Sequence, residues 1–440
     1  MTSKGDDKVD KSTGVVNTKP ILQKHQGARL ADSIQKKILQ LKEWDYPTRF
    51  GELPEPKRIR IDGLVAEQLK ERIECLLAMT PSDALAITQE IGNDWKSFQR
   101  DFAAFGKNRP EEAPAIAVVR EEELACNDEI WVAGDVHADL LGFEAVLQAF
   151  KSQAEPNAKL IFLGDLIDRG LHDLQVVSSL LRYMHEEPGR YAWLVGNHDE
   201  GLQWNEEAKE FRSTVSPATF QEQLNEGNDT ELTQFGAILT RIVKELPYTL
   251  FLPRLLVAHG GFPLSDTWSE LKSLADLTKR ACLTDFVWNR WSDSKVKRPD
   301  RTSSSSEFTA DDFHGFRRIC KTNLGLTIKG MVRGHDHIQQ NRERWERWEE
   351  VRKSSYEGRI LTINTMSHNQ RTDYLNPLFT KSNPRAPTFA RWRSVDNFPT
   401  PMIVDLPKDL VSWYAPECPE CLMPNETGNS TCVECNTPLK

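Results

Sequence analysis

Five times along this chain a short apolar run stops at a cluster of metal-ligating residue types. Ile130-Trp131-Val132-Ala133 runs into Gly134-Asp135-Val136-His137, and Leu160-Ile161-Phe162-Leu163 into Gly164-Asp165-Leu166-Ile167-Asp168-Arg169-Gly170. Tyr191 to Val195 precedes Gly196-Asn197-His198-Asp199, and Leu255 to Ala258 precedes His259-Gly260-Gly261. Ile328 to Val332 precedes Arg333-Gly334-His335-Asp336-His337. Four or five consecutive apolar residues bounded by turn signals read as a strand buried on both faces. A buried strand that delivers Asp, Asn or His at its carboxyl end builds a site at the rim of an open sheet. One such junction is ordinary turn chemistry; five in one style, holding five of the ten histidines, point to an enzyme.

The segments between the junctions fit an α/β arrangement. Leu140 to Phe150 and Asp173 to His185 have the length and pattern of crossover helices. Ile360 to Asn364 and Pro401 to Asp405 read as further strands. Arg371 to Thr400, rich in Pro, Asn and Arg, reads as an irregular surface run, and Ser303 to Ser306 as a loop. Asn341 to Arg359 is a charged, partly helical excursion whose Trp345 and Trp348 are expected to cover the core. Residues 1–25 have almost nothing to bury and read as a disordered tail. Residues 26–107 read as a helical module, with Leu30, Ile34, Ile38 and Leu41, then Leu64, Leu69, Ile73, Leu76 and Leu77, at helical spacing. Thr80-Pro81-Ser82-Asp83 marks a helix start. Asn108 to Pro114 serves as linker to a main domain over 115–408, and 413–440 form a separate tail.

At 440 residues the chain is long enough for about two to four domains. A formal net charge of −9 argues against a general grip on nucleic acid. No apolar run reaches the length of a membrane span, and Met1 to Lys19 lacks the apolar core of a signal peptide. Of eight cysteines four are scattered and four are paired near the end, which is no secreted disulfide framework; a reducing, cytoplasmic setting is expected.

Asp135, His137 and Asp165 can ligate a first divalent ion. Asn197, His259 and His335 can complete a second, with Asp165 bridging. Mixed oxygen and nitrogen ligation suits Mn, Fe, Zn or Co. Two such ions about 3.5–4 Å apart clamp an in-line displacement at phosphorus and acidify a shared water, so that hydroxide is available near neutrality. His198 can protonate the leaving oxygen, with Asp168 orienting its imidazole, and Arg169 offers a fork to phosphate oxygens.

Together these motifs resemble the metallophosphoesterases, in particular the phosphoprotein (Ser/Thr) phosphatase branch. That pattern runs Gly-Asp-x-His-Gly, Gly-Asp-x-x-Asp-Arg-Gly, Gly-Asn-His-Glu, His-Gly-Gly and Arg-x-His. Asp285 to Asp293 is similar to the branch's segment around Trp-Ser-Asp. The resemblance covers roughly residues 129–370. It implies a calcineurin-like fold, a two-sheet β-sandwich flanked by helices, with the dimetal centre at the strand ends and His198 and Asp168 as the acid pair. It also makes Arg169, Asn197, Arg301 and Arg333 the candidate phosphate-binding side chains, with Arg298 close to Arg301. The implied reaction is hydrolysis of phosphomonoesters, phosphoserine or phosphothreonine in proteins above all. Three departures stand out: Ala138 for Gly, Asp199 for Glu, and Asn364 to Asn369 in place of the loop that overhangs the site. Asp199 is shared with the diadenosine tetraphosphate hydrolases, whereas Asp168 is shared with the protein phosphatases, so a dinucleotide polyphosphate substrate stays the rival. Every ligand and acid position is filled, which favours an active enzyme over a silent phosphate-sensing scaffold.

Cys418-x2-Cys421 and Cys432-x2-Cys435 form two knuckles with the spacing of one closed tetrahedral zinc site, similar to a zinc ribbon. The tail has too little core to fold without the ion. Its acidic surroundings disfavour nucleic acid, leaving bracing of the domain or contact with a protein partner; the amino-terminal helices are the other expected partner surface.

Overall fold

The computed structural model describes residues 56–125, 128–226, 229–292, 307–336, 359–368 and 386–420, and in the tail 425, 427, 429–432 and 435–439. The expectations for residues 1–55, Arg298, Arg301, Ser303 to Ser306, His337, Trp345, Trp348, Asn369 and Cys421 lie outside the described residues, as does the part of the irregular run before 386.

Two mixed sheets face each other. The first runs in spatial order Lys57–Arg60, Thr400–Asp405, Thr388–Arg393, Glu129–Ala133, Lys159–Phe162, Tyr191–Trp193. The second runs Ile360–Thr362, Ile328–Arg333, Arg254–Ala258, Thr249–Leu252, Ile116–Val118. Side chains alternate along a strand, so each strand feeds two layers. Ile130, Val132, Ile161 and Leu163 meet Leu255, Val257, Val332 and Leu361 between the sheets. Their neighbours Trp131, Leu160, Phe162 and Trp193 face outward onto helices Leu140–Gln153 and Asp173–Glu186. On the far side Leu256, Ala258 and Met331 pack against Phe262, Phe286, Phe313 and Phe316. Burial on both faces is why the strands read as unbroken apolar runs rather than alternating ones. The architecture is the expected α/β two-sheet sandwich with flanking helices.

Within each sheet, strands Glu129–Ala133, Lys159–Phe162 and Tyr191–Trp193 are mutually parallel, as are Arg254–Ala258, Ile328–Arg333 and Ile360–Thr362. All five polar junctions therefore emerge at carboxyl ends of parallel strands.

Two elements differ from the sequence reading. Thr388–Arg393, inside the run expected to be irregular, is an interior strand, antiparallel to both Glu129–Ala133 and Thr400–Asp405. Its six residues put Phe389 against the helices and Ala390 and Trp392 between the sheets. The surrounding Pro, Asn and Arg hide so short a pattern. Lys57–Arg60 pairs in parallel with Thr400–Asp405 at the sheet edge, a partnership some 345 positions distant in sequence.

The helices that follow share that same core. Gly63–Leu77 buries Leu69 and Ile73, and Pro81–Gly92 starts at the expected place: Thr80 accepts from the Asp83 amide while Asp83 accepts from Thr80, with Pro81 in the first turn. Arg109 closes the expected linker by donating through Nε to Pro114 O at 2.6 Å. Arg72, on Gly63–Leu77, reaches the buried Glu144 of Leu140–Gln153 with Nε to Oε2 at 2.5 Å. Burial, only partly offset by Arg72, pushes the Glu144 carboxyl up from 4.5 to about 6. A raised carboxyl binds its proton more readily in the folded chain, so its contribution is full below pH 4.5 and lost as pH rises through 6. Glu144→Gln removes that dependence. Urea unfolding at pH 4.5 and pH 7 is expected to show the variant gaining about 2 kcal/mol on the wild type across the interval.

Candidate dimetal site

The ligand-bearing loops turn so sharply that several residues take left-handed backbone angles. Among the described residues, six of the eleven non-glycine positions with positive φ are here: His137 (49°), Ala138 (57°), Asp165 (50°), Asp168 (68°), Arg169 (74°) and His335 (67°). Each costs on the order of 1–2 kcal/mol, and the surrounding bonds must hold it. Ala138 shows that the departure from Gly is tolerated by adopting the glycine-like angle.

Asp165 is held through both its backbone and its side chain. Its carbonyl accepts from the amides of Val136 (3.1 Å) and His137 (2.8 Å). Its own amide donates to Asp199 Oδ2 at 2.8 Å, and Asp199 also accepts from the amides of Gly196 (2.9 Å) and Leu166 (3.1 Å). The shorter carboxylate at 199 thus acts as a backbone clasp. Burial, reinforced by the Asp165 charge, raises its pKa to about 6. Asp165 Oδ1 accepts from the His198 amide at 2.8 Å.

The other carboxylate oxygen, Asp165 Oδ2, is buried and has no hydrogen-bond partner. It lies 3.5 Å from His137 Nε2 and 3.3 Å from His259 Nε2. Buried His259 Nδ1 likewise has no hydrogen-bond partner and sits 3.8 Å from Asp135 Oδ1. Buried polar atoms of this kind are costly unless something pairs with them. Two groups of possible ligands converge here, His137, Asp165 and His198, and Asp165, His259 and His335, each with ligand atoms within 4.8 Å of one another. Asp165 belongs to both. Asn197 Oδ1 and His335 Nδ1 lie 3.0 and 3.2 Å from His259 Nε2. The donor set fits two divalent ions sharing one carboxylate.

Outer contacts fix the imidazoles. His137 Nδ1 is 2.9 Å from Ile167 O, and His335 Nε2 is 3.1 Å from Trp288 O, leaving the opposite nitrogens toward the cluster. Asp135 sits beside the second group, accepting from the His335 amide at 3.0 Å. Burial works against a charged Asp165, but His259 and His198 outweigh it and hold the carboxyl well below its ordinary range. Burial likewise works against a charged His259, and Asp165 and Asp135 outweigh it to raise that imidazole.

His198 Nδ1 lies 2.7 Å from Asp168 Oδ2. Asp168 Oδ1 accepts from the Phe220 amide at 2.9 Å, and the Asp168 amide donates to Asp173 at 2.6 Å. Arg169 follows directly, half-buried, its amide on Thr219 Oγ1 at 2.8 Å.

Arg333 is a correction to the sequence reading. Its side chain is fully buried and turned inward, donating through Nε to Gly260 O, through Nη1 to Asp336 and through Nη2 to Asn289 O at 3.0 Å. It pins strand ends together and does not present itself to phosphate. Asn364 to His368 also differ from an overhanging lip: all five are buried, and Thr365 donates its amide to Asp135 O at 2.9 Å. Sequence reasoning passed over Asp336, which holds both Arg333 and Arg290, and Arg290, whose Nη1 donates to His335 O at 3.2 Å. Both lie in stretches already singled out, but their partners are fixed only by the fold.

Residues 129–339 match the calcineurin-like phosphoesterase family. The chain contains a calcineurin-like phosphoesterase domain. A serine/threonine-protein phosphatase of Caenorhabditis elegans is 24% identical over 239 residues, 52% of this chain and 47% of that protein. The serine/threonine-protein phosphatase 2B catalytic subunit A1 of Saccharomyces cerevisiae is 22% identical over 294 residues, 60% of this chain and 49% of its own length. The chain thus spans about half the length of these relatives. The solved structure of a protein serine/threonine phosphatase from Saccharomyces cerevisiae, with similarity to human phosphatase PP5, aligns at TM-score 0.46 and 15% identity, over 77% of this chain and 98% of that one.

In the phosphoesterase domain two glycines let the strand ends close on the ligands. A Cβ at Gly334 would strike the Asp135 carboxylate, and one at Gly196 would strike the Asp165 amide and Oδ1. Gly196→Ala is expected to fold but to lose metal. Elemental analysis after manganese loading and desalting should show the dimetal stoichiometry falling by at least half, with the circular dichroism spectrum retained.

Proposed function

We propose that the chain is a dimetal phosphatase that hydrolyses phosphomonoesters, phosphoserine and phosphothreonine in proteins being its substrates. The observation that carries this reading is Asp165, one buried carboxylate common to two groups of ligands, beside a histidine braced by a second carboxylate at 2.7 Å. Two ions held by His137, Asp165, His259 and His335, with Asp135 and Asn197 alongside, supply a Lewis-acid clamp on phosphoryl oxygens and a water acidified toward neutrality. In this reading Asp168 takes the Nδ1 proton of His198 as a hydrogen bond, which orients the ring and stabilises its charged form. His198 Nε2 then gives its proton to the serine or threonine oxygen as the bond to phosphorus breaks. Arg169, next to Asp168 at the rim, holds non-bridging phosphate oxygens, a task that falls to Arg301 as well. The cysteine tail holds one structural zinc.

Removing the proton donor matters most when the leaving oxygen is basic. His198→Ala is expected to lower kcat on a phosphoserine peptide by about 10²–10⁴-fold. Its effect on p-nitrophenyl phosphate, whose phenolate leaves without a proton, is expected to be at least tenfold smaller. Equal losses on the two substrates would assign His198 a ligand or structural part instead. Asp165→Asn is expected to abolish turnover of both.

The rival dinucleotide reading rests on Asp199. Phosphopeptides and diadenosine tetraphosphate offered to the manganese-loaded protein decide between them: the proposal expects the phosphopeptide to be cleaved with the higher kcat/KM, and exclusive cleavage of the dinucleotide overturns it.

A further inference from the structure

The cysteine tail is wired to the rim that carries the metal ligands. Helix Lys408–Tyr414 follows the edge-side strand Thr400–Asp405 and carries Tyr414 to full burial. The Tyr414 hydroxyl accepts the backbone N–H of Leu140 at 2.9 Å. Leu140 opens helix Leu140–Gln153, and its N–H is one of those that a helix start leaves without an internal partner. Three residues upstream is His137. Just before Leu140, Asp139 caps the helix by accepting the Gly142 amide at 2.9 Å and accepts the Ser367 hydroxyl at 2.8 Å. The Tyr414 ring also packs 5.7 Å from the ring of His172 and 5.5 Å from that of His368. One side chain thus underlies three segments that return from the rim, those at 137–140, 172 and 368.

The tail in turn holds the helix end that carries Tyr414. Thr427 donates its amide to Tyr414 O at 2.6 Å and its hydroxyl to Trp413 O and Tyr414 O at 2.9 and 2.8 Å. Buried Asn425 donates its amide to Pro416 O at 2.9 Å. These bonds satisfy carbonyls that a helix end leaves over. Both residues lie between the first and second cysteine pairs in sequence. In the same tail Cys418, Cys432 and Cys435 place their sulfurs within 4.8 Å of one another, Cys418 and Cys435 at 3.5 Å, and the Glu420 amide points at Cys418 Sγ at 3.4 Å. Among the described residues, Cys418 and Cys432 form their own small hydrophobic cluster, with Leu439 packed on it. For so small a unit, metal binding energy is folding energy.

We propose that the cysteine tail is a metal-dependent brace of the active-site rim, and that Tyr414 is the positioning residue that passes its state to the His137 loop. The inference rests on the dimetal reading of the rim but not on the substrate. The cysteines anchor the segment between their two pairs along the chain; from there contacts run from Thr427 to the helix end, from Tyr414 to the Leu140 amide, and so to His137.

The test uses the full-length protein and three variants, Cys432→Ser, Thr427→Val and Tyr414→Phe. Zinc content, hydrogen exchange of the Leu140 amide and calorimetric binding of Mn²⁺ alone to the rim are measured for each. Cys432→Ser is expected to lose the tail zinc, to speed exchange at Leu140 and to weaken Mn²⁺ binding about tenfold, the size usual for partners of a ligand rather than ligands themselves. Tyr414→Phe is expected to keep the zinc and reproduce the other two effects, while Thr427→Val, which alters only the cap, gives a smaller shift in the same direction. Zinc loss from Cys432→Ser with exchange and Mn²⁺ affinity unchanged overturns the brace, as does a Tyr414→Phe protein with wild-type exchange at Leu140. A wild-type protein that binds Mn²⁺ but cleaves no phosphoester would sink the phosphatase reading and leave these measurements intact.

Discussion

The Asp165 carboxylate is where the structure's separate constraints meet. One oxygen takes the His198 amide at 2.8 Å, and the other, without a hydrogen-bond partner, faces the imidazoles of His137 and His259. A buried carboxylate among histidines is stable only while positive charge surrounds it. The same electrostatics that holds Asp165 ionised fits this oxygen to bridge two ions in the proposed reading. Everything close by restrains it: the Asp199 clasp on its amide, the two amides on its carbonyl, and the tight approach of Gly196.

That focus explains the architecture around it. Parallel strands bring their carboxyl ends to one rim, and the left-handed angles at His137, Asp165 and His335 turn each chain away as soon as its ligand has been delivered. Strain of this kind survives only in a scaffold rigid enough to impose it. Sheets packed on both faces, with Trp131, Trp193 and Trp392 fully buried, supply that rigidity. Arg333 contributes from inside by tying Gly260, Asn289 and Asp336 together at the strand ends.

The rim was legible in the sequence because both its signals are local: an apolar run sufficient for a buried strand, then a ligand within a few residues. What was illegible depended on distant partners. Lys57–Arg60 is four residues, three of them basic, and becomes a strand only because Thr400–Asp405 offers it an edge. Thr388–Arg393 is likewise hidden by its flanks. Arg333 looked like a phosphate ligand since an arginine beside a ligand histidine reads the same whether its guanidinium points in or out; only the packed neighbours decide. Asp199 looked like a truncated glutamate, yet it bonds three backbone amides and needs no greater reach. Tyr414 carried no sequence signal at all, because its partner amide at Leu140 lies 274 positions away.

The most direct test of the central claim is low-temperature electron paramagnetic resonance of the manganese-loaded protein. If Asp165 bridges two ions, the spectrum should be that of an exchange-coupled manganese pair. Replacing Asp165 by Asn should then leave at most a single uncoupled ion with its six-line pattern. A wild-type protein that fills with manganese yet shows only isolated, uncoupled ions would contradict the account.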